Sequence, residues 1–310
     1  MIKLEKLAIV MLFLFIAFKI IDYFLNGLIW FWEYFVFIPE YFFTVTASLM
    51  FLFYYLIKKD KKSSLLSIFI LLLTVLNLPM VPLNEHRSVK VDISILTHNK
   101  GFWQDMDTNM NKFLRNENVD VIMIQEITND QKINNTLRFL GSDWDFDRGY
   151  DLITFSRFPI VRKEKGKESR FLKTTIVVNN TEIELYNVHL PFPLYSGGTN
   201  GLWSIFDIRK EHYAELYQEI GKTKKCKIIA GDFNTKSNSK LLADMFKNYN
   251  DAAQANGGYQ ITWNSLFPLF RVDYIFSSNS VYPVSYKSSV RLPSDHYFVK
   301  ARLTNLEECS

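Results

Sequence analysis

The hydrophobic pattern divides the chain near residue 84. Before it, apolar residues come in long runs: residues 4–24, interrupted late by Lys19 and Asp22, then 41–57 and 64–83, both uncharged. A helix rises about 1.5 Å per residue, so about 20 residues cover a hydrocarbon layer about 30 Å thick. Each run therefore predicts a membrane-crossing helix, the first with Lys19 and Asp22 reaching the interface or pairing one turn apart. The aromatic stretch at 28–40 predicts an interfacial segment, since Trp and Tyr favour the headgroup level. A cleaved leader explains only the first run, and no small-residue cleavage site follows it.

Past residue 90 the period changes. VDISILTHN (91–99), VDVIMIQEI (119–127), DLITFSRF (151–158), TTIVVNN (174–180), TEIELYNVHL (181–190), KCKIIAGDF (225–233) and VDYIF (272–276) read as strands. NNT at 179–181 predicts a hairpin turn. MNKFLRNENV carries Met110, Phe113 and Leu114 at helical spacing, and DIRKEHYAELYQEI predicts a helix with its apolar face on Ile208, Tyr213, Leu216 and Ile220. Strands outnumber helices, with both hairpins and crossovers, so an α/β sandwich fits better than a doubly wound parallel sheet.

Charge follows the same division. Residues 1–83 hold 7 Lys and 5 acids, while the other 227 residues hold 29 Lys+Arg and 27 acids. The expected organisation is a membrane module at 1–84 with three transmembrane helices and a water-facing domain at 85–310. Lys3 and Lys6 precede the first span, and Lys58, Lys59, Lys61 and Lys62 separate the second from the third. Keeping both clusters cytoplasmic requires two crossings between them, so the third span leaves the domain outside. The formal charge of +4 implies no polycation-type nucleic-acid binding. Two cysteines make neither a disulfide scaffold nor a four-Cys zinc site; whether Cys226 and Cys309 pair is left open by the sequence.

The chemistry gathers where strands stop: Asn99 after ILTH, Glu126 after VIMIQ, His189 after YNV, Asp232 and Asn234 in AGDFN, and Asp295–His296 after RLPS, with Asp273 inside RVDYIF. Taken singly, each is a common turn, cap or structural residue. Their order over about 200 residues, each behind a strand, is what carries information. The pieces ILTHN, DVIMIQE, FSRFPI, YNVHL, IIAGDFN, RVDYIF and SDHYFV resemble the endonuclease/exonuclease/phosphatase (DNase-like) superfamily across residues 92–302.

That resemblance implies a four-layer sandwich, two mixed β-sheets flanked by helices; the all-α transmembrane module that precedes it is read from the apolar runs and lies outside the resemblance. The resemblance further implies a metal-dependent phosphoric ester hydrolase using in-line water attack. Glu126, Asn99 and Asp295 would supply an oxygen-rich shell suited to Mg2+, with Mn2+ an alternative. His189 would neutralise phosphate oxygens and Asn234 would hydrogen-bond them. Asp232 would position or deprotonate water, and His296, oriented by Asp273, would act as general base. The competing reading is a non-catalytic, membrane-tethered binding or sensory protein on the same fold. The substrate stays open among nucleic acid, phospholipid head groups and inositol phosphates, and no obligate protein partner is expected. Two basic runs, 162–170 and 222–227, are short for a DNA stripe. His98 and Lys100 depart from the family pattern and read as solvent-facing. His86 and His212 read as structural or surface residues, Arg157 and Arg209 as partners of solvent or acids. The stretch 196–206 reads as a flexible loop, with Trp203 and Phe206 placed to touch lipid or substrate or packed over the cleft rim.

Overall fold

A computed structural model describes residues 2–25, 41–59, 61–76, 80–81, 90–101, 108–165, 170–192, 201–237, 239–263, 270–289 and 294–309. The interfacial segment expected at 28–40, His86, the 196–200 part of the expected loop and the Trp203 and Phe206 side chains lie outside them. Two compact units form, Met1–Met80 and Val81–Ser310.

The first unit contains helices α1 (Ile2–Leu25), α2 (Tyr41–Lys58) and α3 (Lys61–Leu76). Ala8, Ala47, Phe51 and Ile70 form its small core. Ser48 and Ser67 bond reciprocally, each hydroxyl donating to the other's carbonyl at 3.0 and 2.9 Å, which satisfies polar groups without charge. Most large apolar side chains point outward, Phe13 at 70% and Leu65 at 68% exposure. Among the described residues, one helix is long and apolar enough to cross a membrane, Lys6–Leu25; Phe43–Ile57 is shorter.

The second unit is a four-layer α/β/β/α sandwich of two mixed six-stranded sheets. One sheet contains β1 (Ile93–Asn99), β2 (Val121–Gln125), β3 (Asp145–Arg148) and β4 (Leu152–Ser156), joined at the far side by β11 (Tyr282–Ser289) and β12 (Phe298–Thr304), in the order β11-β12-β1-β2-β4-β3. The other contains β5 (Ile160–Lys165), β6 (Phe171–Val178), β7 (Thr181–His189), β8 (Lys227–Asp232), β9 (Tyr249–Asp251) and β10 (Asp273–Ser278), in the order β9-β10-β8-β7-β6-β5. Each sheet holds a parallel pair at its centre, β1 with β2 and β7 with β8. The expected turn joins β6 to β7, with Asn179 and Asn180 both at positive φ, as a tight hairpin of this hand requires.

Ile93, Ile95, Val121, Met123, Ile183, Leu185, Ile228, Ala230 and Ile275 fill the space between the sheets. Helices α4 (Thr108–Asn116) and α5 (Asp130–Leu140) cover the first sheet through Met110, Leu114, Ile133 and Leu140. Helices α6 (Gly201–Gly221) and α7 (Lys240–Phe246) cover the second through Tyr213, Leu216, Ile220, Leu242, Met245 and Phe246.

Two local expectations change, both in α6, and two open points are filled in. Helix α6 begins at Gly201, so residues 201–206 are helical and not loop. Its buried face is phased differently from its apolar residues: Ile208 is 40% exposed, whereas Arg209 and His212 are buried. The basic run at 162–170 begins inside edge strand β5, where charge discourages pairing with another chain. Cys226, just before β8, and Cys309, in the terminal 3-10 helix Leu306–Cys309, are disulfide-bonded with Cα atoms 5.5 Å apart.

Candidate functional site

Alternate residues of a strand face the same side, and in this sandwich one set of alternations assembles the site. On β1 the inter-sheet positions read Ile93, Ile95, Thr97, Asn99; on β7, Ile183, Leu185, Asn187, His189; on β8, Ile228, Ala230, Asp232. β2 contributes Val121, Met123, Gln125, with Glu126 next. β10 runs the opposite way and starts with Asp273 before Ile275. The inter-sheet layer thus grades from apolar through amide to titratable, and register does the gathering: Asn99 sits opposite Gln125, His189 opposite Asp232, and Asp273 on the other side of Asp232.

Amides stitch the layer together. Gln125 Nε2 donates to Thr97 Oγ1 at 3.0 Å and to Asn187 Oδ1 at 2.7 Å. Asn187 Nδ2 donates across the sheets to the Ile153 carbonyl at 2.8 Å. Asn99 Nδ2 then bridges two carboxylates, donating to Glu126 Oε1 and Asp232 Oδ2 at 3.0 Å each. Asp232 also accepts the Asn234 backbone N–H at 2.7 Å and its side-chain Nδ2 at 3.0 Å.

Two imidazole–carboxylate dyads flank that bridge. His189 Nδ1 lies 2.7 Å from Asp151 Oδ2, and His296 Nδ1 lies 2.9 Å from Asp273 Oδ2. Their other ring nitrogens face the centre: His189 Nε2 is 3.6 Å from Glu126 Oε1, and His296 Nε2 is 3.8 Å from Asp232 Oδ2. Burial favours neutral imidazoles. For His296 the Asp273 and Asp232 carboxylates outweigh it and raise the pKa to about 10. His189 is raised against the same burial penalty by its Asp151 bond and by Asp151, Asp232 and Glu126. Burial, with Asp273 adding to it, lifts Asp232 to about 6.

The backbone is strained where the chemistry sits. Glu126 and Asn234 occupy the left-handed region, φ 62° and 48°, conformations that cost a non-glycine residue on the order of 1–3 kcal/mol and need surrounding support. Ile127 N–H to the Asp151 carbonyl, 3.1 Å, supports the first. Gly231, φ 140°, lets β7 and β8 approach so closely that a Cβ there would lie 2.0 Å from the Val188 carbonyl oxygen.

Seven of the eight residues singled out in the sequence, Asn99, Glu126, His189, Asp232, Asn234, Asp273 and His296, share this network. Asp295 stands apart: it is exposed, and its Oδ2 accepts the Trp263 indole N–H at 3.2 Å. Trp263 packs between Phe192 and Phe270, with ring centroids 5.6 and 5.8 Å away, and its centroid lies 6.4 Å from that of His296. Asn234 spends both amide hydrogens within the protein, on Asp232 and on the Leu190 carbonyl. His98 and Lys100 are buried, not solvent-facing as their polarity suggested. Asp151 escaped sequence reading, although it opens DLITF as Asp273 opens DYIF, the one signal that marked it.

The donor chemistry fits a hard divalent cation. Glu126 and Asp232 converge on one amide, both cysteines are in the disulfide, and Asp273 Oδ1 is buried without a hydrogen-bond partner. Asp232, Asp273 and His296 also place ligand atoms within 4.8 Å of one another. The Asp273–His296 hydrogen bond occupies part of that cluster, and on the Glu126 side Asn99 Oδ1 accepts the Gly101 N–H at 2.9 Å, so an ion there would draw on the Glu126 carboxylate and on an amide oxygen released from that bond.

A model of the Endonuclease/Exonuclease/phosphatase family matches residues 99–296, well over half of the chain. No match was found among curated proteins. Solved structures that are similar include the following three. An endonuclease/exonuclease/phosphatase from Bacteroides vulgatus is 15% identical, with a TM-score of 0.57 over 70% of this chain and 100% of that one. A humanised D. rerio TDP2 is 18% identical, with 0.54 over 68% and 98%. A mannosyl-6-phosphatase from Bacteroides thetaiotaomicron is 16% identical, with 0.50 over 68% and 99%. At such identities the likeness establishes the fold.

Proposed function

The chain belongs to the endonuclease/exonuclease/phosphatase family and is a phosphoric ester hydrolase, and from that premise we propose that it is a membrane-anchored, Mg2+-dependent phosphoesterase acting outside the cytoplasm. The observation that carries the catalytic reading is the pair of dyads around the Glu126–Asn99–Asp232 bridge. The bond cleaved is either a phosphodiester or a phosphomonoester; a mannosyl-6-phosphatase is among the proteins sharing the fold.

Glu126 would hold the cation, Mg2+ or in its place Mn2+, and Asn99 would join it once its Oδ1 exchanges the Gly101 N–H for the ion. For Asp295 to complete the set, its carboxylate must exchange the Trp263 indole for the ion. Such an ion would supply positive charge to neutralise phosphoryl oxygens and would offset the carboxylate field around His296. Asp232, fixed by three N–H donors, orients the attacking water. His296 Nε2 exchanges the proton, since Asp273 holds Nδ1 and so fixes the tautomer. His189, held by Asp151, lays its Nε2–H on a phosphoryl oxygen. Asn234 acts through Asp232, its amide hydrogens being spent. The Trp263–Phe192–Phe270 wall favours a substrate with an apolar or aromatic group beside the phosphate.

Anchoring is supported by the outward apolar side chains of α1, α2 and α3, which suit contact with lipid better than with water. The outer location is supported by the lysine placement and by the Cys226–Cys309 bond, since disulfides persist in oxidising compartments. The test is hydrolysis of bis-p-nitrophenyl phosphate and p-nitrophenyl phosphate by the full chain in detergent, with Mg2+ or with EDTA. Wild type, Glu126→Ala and His296→Ala are compared. Both variants are expected to lose at least roughly 100-fold in kcat; equal rates in all three would remove the proposal.

A further inference from the structure

Arg209 is among the largest fully buried side chains, 1% exposed, on the inner face of α6. A guanidinium taken out of water is costly unless its N–H groups are satisfied. Among the described residues none of its hydrogen-bond partners is a carboxylate, and Nε is buried without one. Nη1 donates to the Pro191 carbonyl, and Nη2 to Thr235 Oγ1 at 2.7 Å and the Asn234 carbonyl at 3.3 Å. A core needing only volume there would be better served by an apolar side chain, so the position of these acceptors is informative.

They belong to two catalytic loops. Pro191 lies two residues past His189, at the exit of β7; Asn234 and Thr235 lie two and three past Asp232, at the exit of β8. One planar fork therefore ties together the segments that carry the two groups facing each other across the parallel pair. The β8 loop needs such support, because Asn234 sits at positive φ and holds the Asp232 carboxylate through two N–H groups. Tyr213, one turn after Arg209 on α6, donates to the same Thr235 hydroxyl, and Tyr274 donates to the Thr235 carbonyl at 2.8 Å.

Resting on the phosphoesterase reading above, we infer that Arg209 is a positioning residue for the reaction: it fixes the β7 and β8 exit loops against each other and so sets the His189-to-Asp232 spacing. It touches neither substrate nor cation. Lysine replaces it only in part, since a single ammonium on a flexible stem does not reproduce a fork aimed at two loops.

The test uses the full chain in detergent, comparing wild type, Arg209→Met, Arg209→Lys and the near-isosteric Thr235→Val. Expected is a kcat loss of roughly 100-fold in Arg209→Met with KM changed less than about threefold, because a misplacement of about 1 Å costs on that order. Arg209→Lys should fall between wild type and Arg209→Met, and Thr235→Val should lose roughly tenfold. Amide hydrogen exchange gives a readout independent of turnover. In Arg209→Met, the Leu190, Phe233 and Asn234 amides should exchange at least tenfold faster while the middle of α6 stays protected. If Arg209→Met fails to fold, Thr235→Val carries both measurements. Wild-type exchange at both loops in the folded variants overturns the inference whatever the activity, as does a wild-type kcat. An inactive wild type with loosened loops instead removes the phosphoesterase reading and leaves the tie standing.

Discussion

Cutting the Cys226–Cys309 disulfide should destabilise the second unit strongly and leave its chemistry alone. The bond closes a loop across 83 positions. In the chain-entropy description, a loop of that length restricts the unfolded ensemble by about 4.5 kcal/mol at 25 °C. Without the bond, the C-terminal turn keeps the buried Leu306 side chain and its N–H to Asp92 Oδ2, 3.0 Å. For a unit of this size, 1 kcal/mol moves Tm by about 2–4 °C, so reduction should lower Tm by roughly 9–18 °C. Cys226 immediately precedes β8, whose other end is Asp232, so the bond and the catalytic groups lie at opposite ends of that strand. Scanning calorimetry of the full chain with and without a thiol reductant, and of the Cys226→Ser/Cys309→Ser variant, measures the shift; kcat at 20 °C should change less than twofold. An unchanged transition on reduction, or two free thiols titrated in protein purified without reductant, would refute the reasoning and weaken the outer location with it.

Other perturbations separate the parts of the site. EDTA should abolish hydrolysis and excess Mg2+ restore it; full activity in EDTA would exclude the cation site. Asp151→Asn should lower kcat roughly 100-fold by releasing His189, whereas Asp147→Asn, which alters a buried carboxylate bonded to Thr174, should act on stability instead. Gly231→Ala should cost more than about 3 kcal/mol in denaturant unfolding, from the φ penalty and the clash with Val188 together. Burial, followed by the charges of His296 and Lys100, holds His98 down at about 3. The unfolded chain then binds a proton that the folded one refuses, so this group subtracts nothing above pH 6.5 and progressively more stability as pH falls toward 3. His98→Gln should flatten that acid limb in urea titrations; an unchanged limb would contradict it.

Much of this was readable because strands have period two. A run such as IELYNVH announces both its faces, and the polar residue that ends it lies on the face its apolar predecessors define. The unread parts depended on contacts between distant segments. Asp151 looks like any turn carboxylate until β7 brings His189 to it, and Arg209 looks like a solvated helix residue until the β8 exit loop is folded beneath it. Ile208 misled the phasing of α6 for the same reason: helix polarity is decided by what packs against it, and here the core accepted a charge and released an isoleucine. The cysteine pair was unreadable because 83 residues of folded chain set the distance between its ends.

The two-residue repeat has a genetic corollary. Deleting one codon anywhere in Lys227–Ala230 would not merely shorten β8; it would turn the strand inside out for everything downstream, sending Asp232 toward the helices and Phe233 into the pocket. The same deletion in the loop before Lys227 leaves that parity untouched. Tolerance to single-residue loss should therefore drop abruptly at the boundary of the strand, tracing the active centre in a deletion scan that never assays a substrate.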